Sequence, residues 1–306
     1  MIPHYKNIHN RFKINDALFD KGTLIELAIC FIKEGEDFEK EIGIFLLNWL
    51  DENDFIITQT SGTTGKPKPI KIQKQAMVNS AIATGDFFNI KPGDKVLHCL
   101  PCKFIAGKMM LVRAIILGLE VDFVSPNSRL ENNNKLYDFV AMVPLQVENN
   151  FDKLHQIKKL IIGGAPPSSS LVSKLKELKN ISVFETYGMT ETITHIAAKE
   201  INSDYFEILP GISIENDDRE CLLIDAPRIT SEKIVTNDLV EIISKNKFKW
   251  LGRIDNVINS GGVKLFPEQI EKKLDHLIEG RFFIASEEDA KLGNKVILIL
   301  EGNPID

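Results

Sequence analysis

The order of elements constrains this chain most. Short apolar runs at 55–58, 95–100, 121–124, 139–143, 160–162 and 181–184 are rich in Val, Ile and Phe. Between several of them, segments 73–89, 105–117 and 168–178 carry helix formers at helical spacing. Parallel neighbours cannot be joined by a tight hairpin and need a crossover, so this alternation predicts an α/β fold with a largely parallel sheet. Past Asp204 the texture changes. Runs at 221–224, 240–243 and 248–251 are short and hairpin-spaced. Pro267 then opens a helix in which Ile270, Leu274, Leu277 and Ile278 are predicted to share one face. Strands at 281–285 and 295–300 follow. The expectation is a large domain over 1–253, with mixed and parallel sheets flanked by helices. A small α+β domain over 254–306 follows it, with the boundary at 253–255.

A chain of 306 residues has room for about two such domains. With 43% apolar and 26% charged residues, a packed core is expected and global disorder is excluded. The net charge of −6 argues against a protein that coats nucleic acid. The apolar stretch 109–124 is interrupted by Arg113, Glu120 and Asp122, short of the roughly 18 uninterrupted apolar residues that a spanning helix needs. Residues 1–15 hold no apolar signal segment. Four cysteines without such a segment predict reduced thiols and a cytoplasmic location. Cys99 and Cys102 form a lone CxxC with His98 adjacent, a poor chelating geometry, and are read as buried thiols.

The chemistry concentrates in TSGTTGKPK at 60–68. Gly62 and Gly65 let the backbone turn and approach a ligand closely. Thr60, Ser61, Thr63 and Thr64 offer hydroxyl donors, and Lys66 and Lys68 add positive charge. This is what a polyphosphate-binding loop needs. It is not a Walker loop, because Pro67 follows Gly65-Lys66 where Ser or Thr is required. The loop resembles the phosphate loop of adenylate-forming enzymes: the acyl- and aryl-CoA ligases, luciferases and peptide-synthetase adenylation domains. Further motifs resemble that superfamily in the same order: GGAP at 163–166, YGMTET at 187–192, Asn237-Asp238, GRID at 252–255, SGGVK at 260–264 and PEQIE at 267–271.

The resemblance implies ATP, Mg²⁺ and coenzyme A as reactants or cofactors, with a small carboxylic acid as the substrate. It assigns Thr60, Ser61, Gly62, Thr63, Thr64, Gly65 and Lys68 to the phosphates of ATP. Gly164, Ala165 and Pro166 fall to the adenine pocket, Tyr187, Gly188 and Met189 to the nucleotide. Thr190 is placed on the α-phosphate and Glu191 on Mg²⁺. Asp238 and Arg253 are placed on the ribose. Phe104, Gly107 and His195 are expected at the acyl substrate. Asp255 is expected at a hinge, with Gly261, Gly262 and Lys264 near coenzyme A. Arg113 and hydroxyls near the pocket are expected to meet a second carboxylate.

The chain departs from the superfamily at both ends. The stretch before Thr60 is short, and the G-K motif that carries the catalytic lysine, expected after the strand at 295–300, does not follow it by Asp306. Lys295 lies on the wrong side of its strand to replace it. The expectation is a shortened N-terminus and a truncated C-terminal domain. Residues 76–81 and 107–113 are most similar to short bacterial o-succinylbenzoate–CoA ligases, which implies o-succinylbenzoate as the acid and menaquinone biosynthesis as the pathway. Three alternatives stay open: another acyl- or aryl-CoA ligase, an enzyme that loads a carrier protein, and a pseudo-enzyme that holds nucleotide without turnover. A homo-oligomer is also left open.

Overall fold

The computed structural model describes residues 2–59, 69–131, 134–278 and 280–302. Two short strands, β1 (Lys13–Ile14) and β2 (Ala17–Leu18), open the chain. Helices α1 (Lys21–Glu34) and α2 (Asp37–Leu50) follow. The Asp20 side chain starts α1 by accepting the backbone N–H of Thr23. Strands β3 (Phe55–Gln59) and β4 (Pro69–Gln73) pair antiparallel as a separate ribbon and flank the phosphate-loop sequence, which lies outside the described residues.

The crossover units come next. They comprise α3 (Lys74–Phe88), β5 (Lys95–His98), α4 (Ile105–Leu117), β6 (Glu120–Phe123), β7 (Tyr137–Met142), α5 (Pro144–Asn149), β8 (Ile157–Ile162), α6 (Ser169–Lys176) and β9 (Ser182–Gly188). Strands β10 (His195–Glu200), β11 (Phe206–Ile208), β12 (Ser213–Asn216), β13 (Cys221–Asp225), β14 (Ile234–Ser244) and β15 (Lys247–Arg253) complete the main sheet. A 3₁₀ turn at Ile254–Asn256 leads into β16 (Ile258–Ser260), β17 (Val263–Leu265), α7 (Pro267–Leu274), β18 (Phe282–Asp289) and β19 (Gly293–Leu300).

Among the described residues the main sheet runs β12-β13-β14-β15-β11-β10-β9-β8-β7-β5-β6-β1-β2. From β1 through β6, β5, β7 and β8 to β9 the neighbours are parallel, as the crossovers require. From β9 to β12 they are antiparallel, as the hairpin spacing after Asp204 predicts. A second, four-stranded sheet runs β17-β16-β19-β18. The change of sheet falls at Ile254–Asn256.

Three apolar clusters hold these layers. Helices α1 to α4 pack on the β5–β7 region around Phe12, Trp49, Met77, Met109 and Phe139. The second face, with α5 and α6, buries Tyr137, Leu160, Leu171 and Leu175. The third lies within the antiparallel half, around Ile196, Phe206, Val240 and Phe248. Helix α4 is apolar all round because its residues from Met109 to Ile116 are buried on every side. Helix α7 ends at Leu274, earlier than its spacing predicts. Leu277 and Ile278 lie in the turn beyond it, and Leu277 is exposed. No helix among the described residues is long and apolar enough to cross a membrane.

Candidate active site

The expected site residues lie mostly at strand ends. Gly164, Ala165 and Pro166 form an exposed loop after β8. Tyr187 and Gly188 end the adjacent parallel strand β9, and Met189, Thr190 and Glu191 follow directly. The Thr186 hydroxyl ties the two strand ends by donating to Ile162 O at 2.9 Å. The crevice beyond the carboxyl ends of parallel strands is where α/β sheets bind ligands.

Asp238 stands on β14 opposite Arg253 on β15. Tyr187 Oη donates to Asp238 Oδ2 at 2.7 Å, and Trp250 Nε1 donates to Oδ1 at 3.1 Å. Arg253 Nη1 lies 3.8 Å from the same carboxylate. Each carboxylate oxygen therefore has one partner and one further lone pair, enough to accept a pair of vicinal hydroxyls. Tyr187 sits edge-on to Phe248 and tilted on Phe206, so its ring belongs partly to the core while its hydroxyl orients Asp238. Burial, then the Asp238 charge and hydrogen bond, raise the Tyr187 hydroxyl well above its ordinary pKa, so it stays a donor. Trp250 is the residue that sequence reading missed here; its i, i+2 placement on a strand facing Asp238 is visible only with the register known.

Asp255 is held by two groups. Arg253 Nη2 lies 3.2 Å from it, and Asn237 Nδ2 donates at 3.1 Å. Among the described residues Lys264 pairs with Glu220, at 3.7 Å between two exposed side chains. Gly261 and Gly262 form the tip of the β16–β17 hairpin with positive φ values of 56° and 85°. Glu191 is exposed. One carboxylate with phosphate oxygens and water is the usual magnesium environment, so Glu191 suits that role.

A second constellation is buried. His195 Nε2 lies 3.3 Å from Thr84 Oγ1, and Nδ1 lies 3.3 Å from Thr194 Oγ1. Arg113, on α4 and 2% exposed, donates to Thr194 Oγ1 at 3.3 Å, while its Nε is buried without a partner. No carboxylate among the described residues pairs with it. Burial lowers the Arg113 pKa to about 10, so the guanidinium is still a cation at neutral pH. Burial, followed by the Arg113 charge, holds the His195 imidazole well below its ordinary pKa, so it is neutral. Preceding this pair, Ile193 is buried with φ of 66°, a strained state for a β-branched residue. The turn at Met189–Thr192 and this left-handed residue present Thr194 and His195 inward.

Phe104 caps the start of α4 and is 46% exposed, so it is not a core side chain. Gly107 is fixed by close packing: a Cβ there would lie 2.3 Å from Pro101 O. The Gly107 carbonyl is 3.2 Å from His98 Nε2, which also faces Cys102 Sγ at 3.4 Å. Both CxxC thiols are free and buried, as read from sequence. Burial pushes Cys99 up to about 12 and Cys102 further, so they are protonated and unreactive.

Burial also lowers the His98 pKa to about 4. The unfolded chain binds a proton here from about pH 6.5 downward while the folded chain does not, so stability falls with pH over that window. As the pH falls from 6.5 to 5 the expected loss is about 1–2 kcal/mol from His98, with His195 adding in the same direction. Urea unfolding at the two pH values checks this. A His98→Gln variant should show the shallower dependence; an equal slope would mean that His98 already takes up its proton in the folded state.

The phosphate-loop residues Thr60, Ser61, Gly62, Thr63, Thr64, Gly65 and Lys68 lie outside the described residues. At the foot of that loop, Lys108 Nζ donates to Thr58 Oγ1 at 3.3 Å, a contact that no motif signalled.

Comparison with known proteins gives the family and the fold. The chain is similar to an AMP-forming acyl-CoA synthetase/AMP-acid ligase II-like protein of Dyadobacter fermentans. Identity is 36% and the TM-score 0.70, over 92% of this chain and 85% of that one. Among solved structures it also resembles the o-succinylbenzoate coenzyme A synthetase of Bacillus subtilis in complex with ATP and magnesium ion. That likeness, of fold, has a TM-score of 0.67 at 20% identity, over 82% of this chain and 60% of that one. It is 26% identical to the 2-succinylbenzoate–CoA ligase of Lactococcus lactis over 83% of its own length. It spans 62% of that relative. The AMP-binding enzyme family model matches residues 33–220, more than half of the chain. The chain belongs to the AMP-binding enzyme family.

Proposed function

We propose that this protein activates a carboxylic acid with ATP as an acyl-adenylate and passes the acyl group to the thiol of coenzyme A. The observation that carries this reading is the carboxylate of Asp238, oriented by Tyr187 and Trp250 beside Arg253. It is preorganised for two vicinal hydroxyls in a chain of the AMP-binding family. The acid's carboxylate attacks the α-phosphorus, the bond to pyrophosphate breaks, and AMP later leaves when the thiol takes the acyl carbon. Two anions must meet in the first step, so positioning and charge neutralisation dominate the barrier. Thr190 is proposed to contact the α-phosphate. Glu191 would hold Mg²⁺, which would supply charge neutralisation when bound.

The acid is proposed to be o-succinylbenzoate, and the pathway menaquinone biosynthesis in the cytoplasm. Two features support a second carboxylate on the substrate: the similarity to 2-succinylbenzoate–CoA ligases, and a buried guanidinium with no acidic partner among the described residues. A tunnel for a fatty acid would be apolar throughout. Pyrophosphate release across a panel of acids tests this. O-succinylbenzoate is expected to turn over fastest, ahead of benzoate and of long-chain fatty acids. Faster turnover of a fatty acid would refute the assignment, and nucleotide binding with no acid activated would favour the pseudo-enzyme.

A further inference from the structure

The C-terminal unit touches the large sheet's unit along α7, at its start through Glu268 and Gln269, whose Nε2 donates to Leu251 O at 3.1 Å, and at its end through Asp275. At its end, Asp275 Oδ2 accepts the backbone N–H of Ser169 at 2.7 Å. Ser169 is the first residue of α6, whose own cap, Ser168 Oγ, accepts the N–H of Leu171 at 3.2 Å. The first turn of α6 is thus capped once locally and once from the other unit. A carboxylate on a helix's first amide is a charge-assisted bond that the helix dipole favours. Helix α6 follows the loop 163–166 almost directly.

At the start of α7, Glu268 Oε1 accepts Asn256 Nδ2 at 2.6 Å and the N–H of Arg253 at 3.4 Å, bridging the turn Ile254–Asn256. Its Oε2 is buried without a partner, and a Cβ on Gly252 would lie 2.5 Å from it. Lys272–Asp204 at 3.6 Å and Lys264–Glu220 at 3.7 Å also cross between the units, but they are exposed and hold little. The tip of the glycine hairpin stands clear among the described residues: none lies within 4 Å of a Cβ on Gly262, and a Cβ on Gly261 meets Leu292 of its own unit.

We propose that Asp275 is a positioning residue whose bond to the Ser169 amide latches the C-terminal unit in the orientation with the glycine hairpin withdrawn. The inference rests on the function proposed above and on the expectation, from the family resemblance, that the glycine hairpin meets coenzyme A. Breaking the latch eases rotation about Ile254–Asn256, because the Glu268 and Gln269 contacts that stay lie beside that turn. The latch ends on the helix that follows the loop assigned to adenine, so nucleotide occupancy and orientation bias each other through linkage.

Two variants remove the bond from opposite sides. Asp275→Ala deletes the acceptor. Ser169→Pro deletes the donor at the first helical position, where proline is well tolerated. In the unliganded full chain, protease cleavage at 254–258 is expected to rise about tenfold in each, the lower end for a hydrogen bond to a charged group. The double variant should be cleaved no faster than either single one, because both remove the same interaction. Asp275→Asn, which keeps an acceptor oxygen, should fall between. The ratio of thioester formation from supplied acyl-adenylate to ATP–pyrophosphate exchange should rise by the same factor in both single variants. Unchanged cleavage in either variant, additive effects in the double, or an unmoved ratio would overturn the latch. Absence of exchange with every acid, wild type included, would instead sink the proposed function, and the cleavage rates would still judge the latch.

Discussion

Replacing Asp238 with alanine is expected to weaken ATP binding about 100-fold. Two hydrogen bonds from the ribose hydroxyls to an ionised carboxylate are lost. At about 1.5 kcal/mol each, the low end for bonds to a charge, they sum to about 3 kcal/mol. The variant also leaves Tyr187 Oη and Trp250 Nε1 without their acceptor, so some loss of stability accompanies it. Calorimetry separates the two effects when tripolyphosphate, which has no ribose, is titrated alongside ATP. The weakening should fall on the nucleotide alone. Undiminished ATP affinity would remove Asp238 from the site, and equal weakening of both ligands would mean that the change acts through the fold.

Arg113→Met is expected to reduce turnover of o-succinylbenzoate by about 10²–10³-fold relative to benzoate, the cost of removing one partner from a buried charge pair. Folding should behave in the opposite way. In the unliganded protein the guanidinium is buried and, among the described residues, has Thr194 as its hydrogen-bond partner and leaves Nε unsatisfied. Replacing such a charge by an apolar chain of similar volume is commonly neutral or stabilising. The combination of lost diacid turnover with a held or raised melting temperature is the signature of a binding cation. A variant that keeps its preference for the diacid, or that unfolds, would make Arg113 a structural residue. The neutral state of His195 fits the same picture, because a second cation beside Arg113 would be repelled, and its buried ring stays an orienting partner for Thr84 and Thr194.

The legibility of this protein in its sequence was uneven for physical reasons. Alternation of apolar runs with helical spacing is a local property, so α3, α4 and α6 and the strands between them were readable within a few residues. Helices α1 and α2 were not foreseen, although Asp20 with Thr23 is a capping signal. Helix α7 was extended too far because the spacing of Leu277 and Ile278 fits a helix while their burial does not. The motifs are also local, so the candidate site residues could be proposed in the order of the chain.

What the sequence by itself determined is therefore the element order, the parallel half of the sheet, the family motifs and the residue types that can meet ATP and an acid. Only the tertiary structure decided which of them touch. Tyr187 and Asp238 lie four strands apart in sheet order yet bond at 2.7 Å, because the antiparallel half curls over its own cluster. Register shifts at Leu239/Val240 and His195/Ala197 set which side chains face inward there. A one-residue slip in a strand reverses every side chain beyond it, and no local pattern announces such a slip. The Arg113–Thr194–His195 cluster depends likewise on a left-handed isoleucine. The Asp275–Ser169 bond joins residues 106 apart. Such contacts depend on how whole elements pack, and packing is a property of the assembled core, which local sequence spacing does not record.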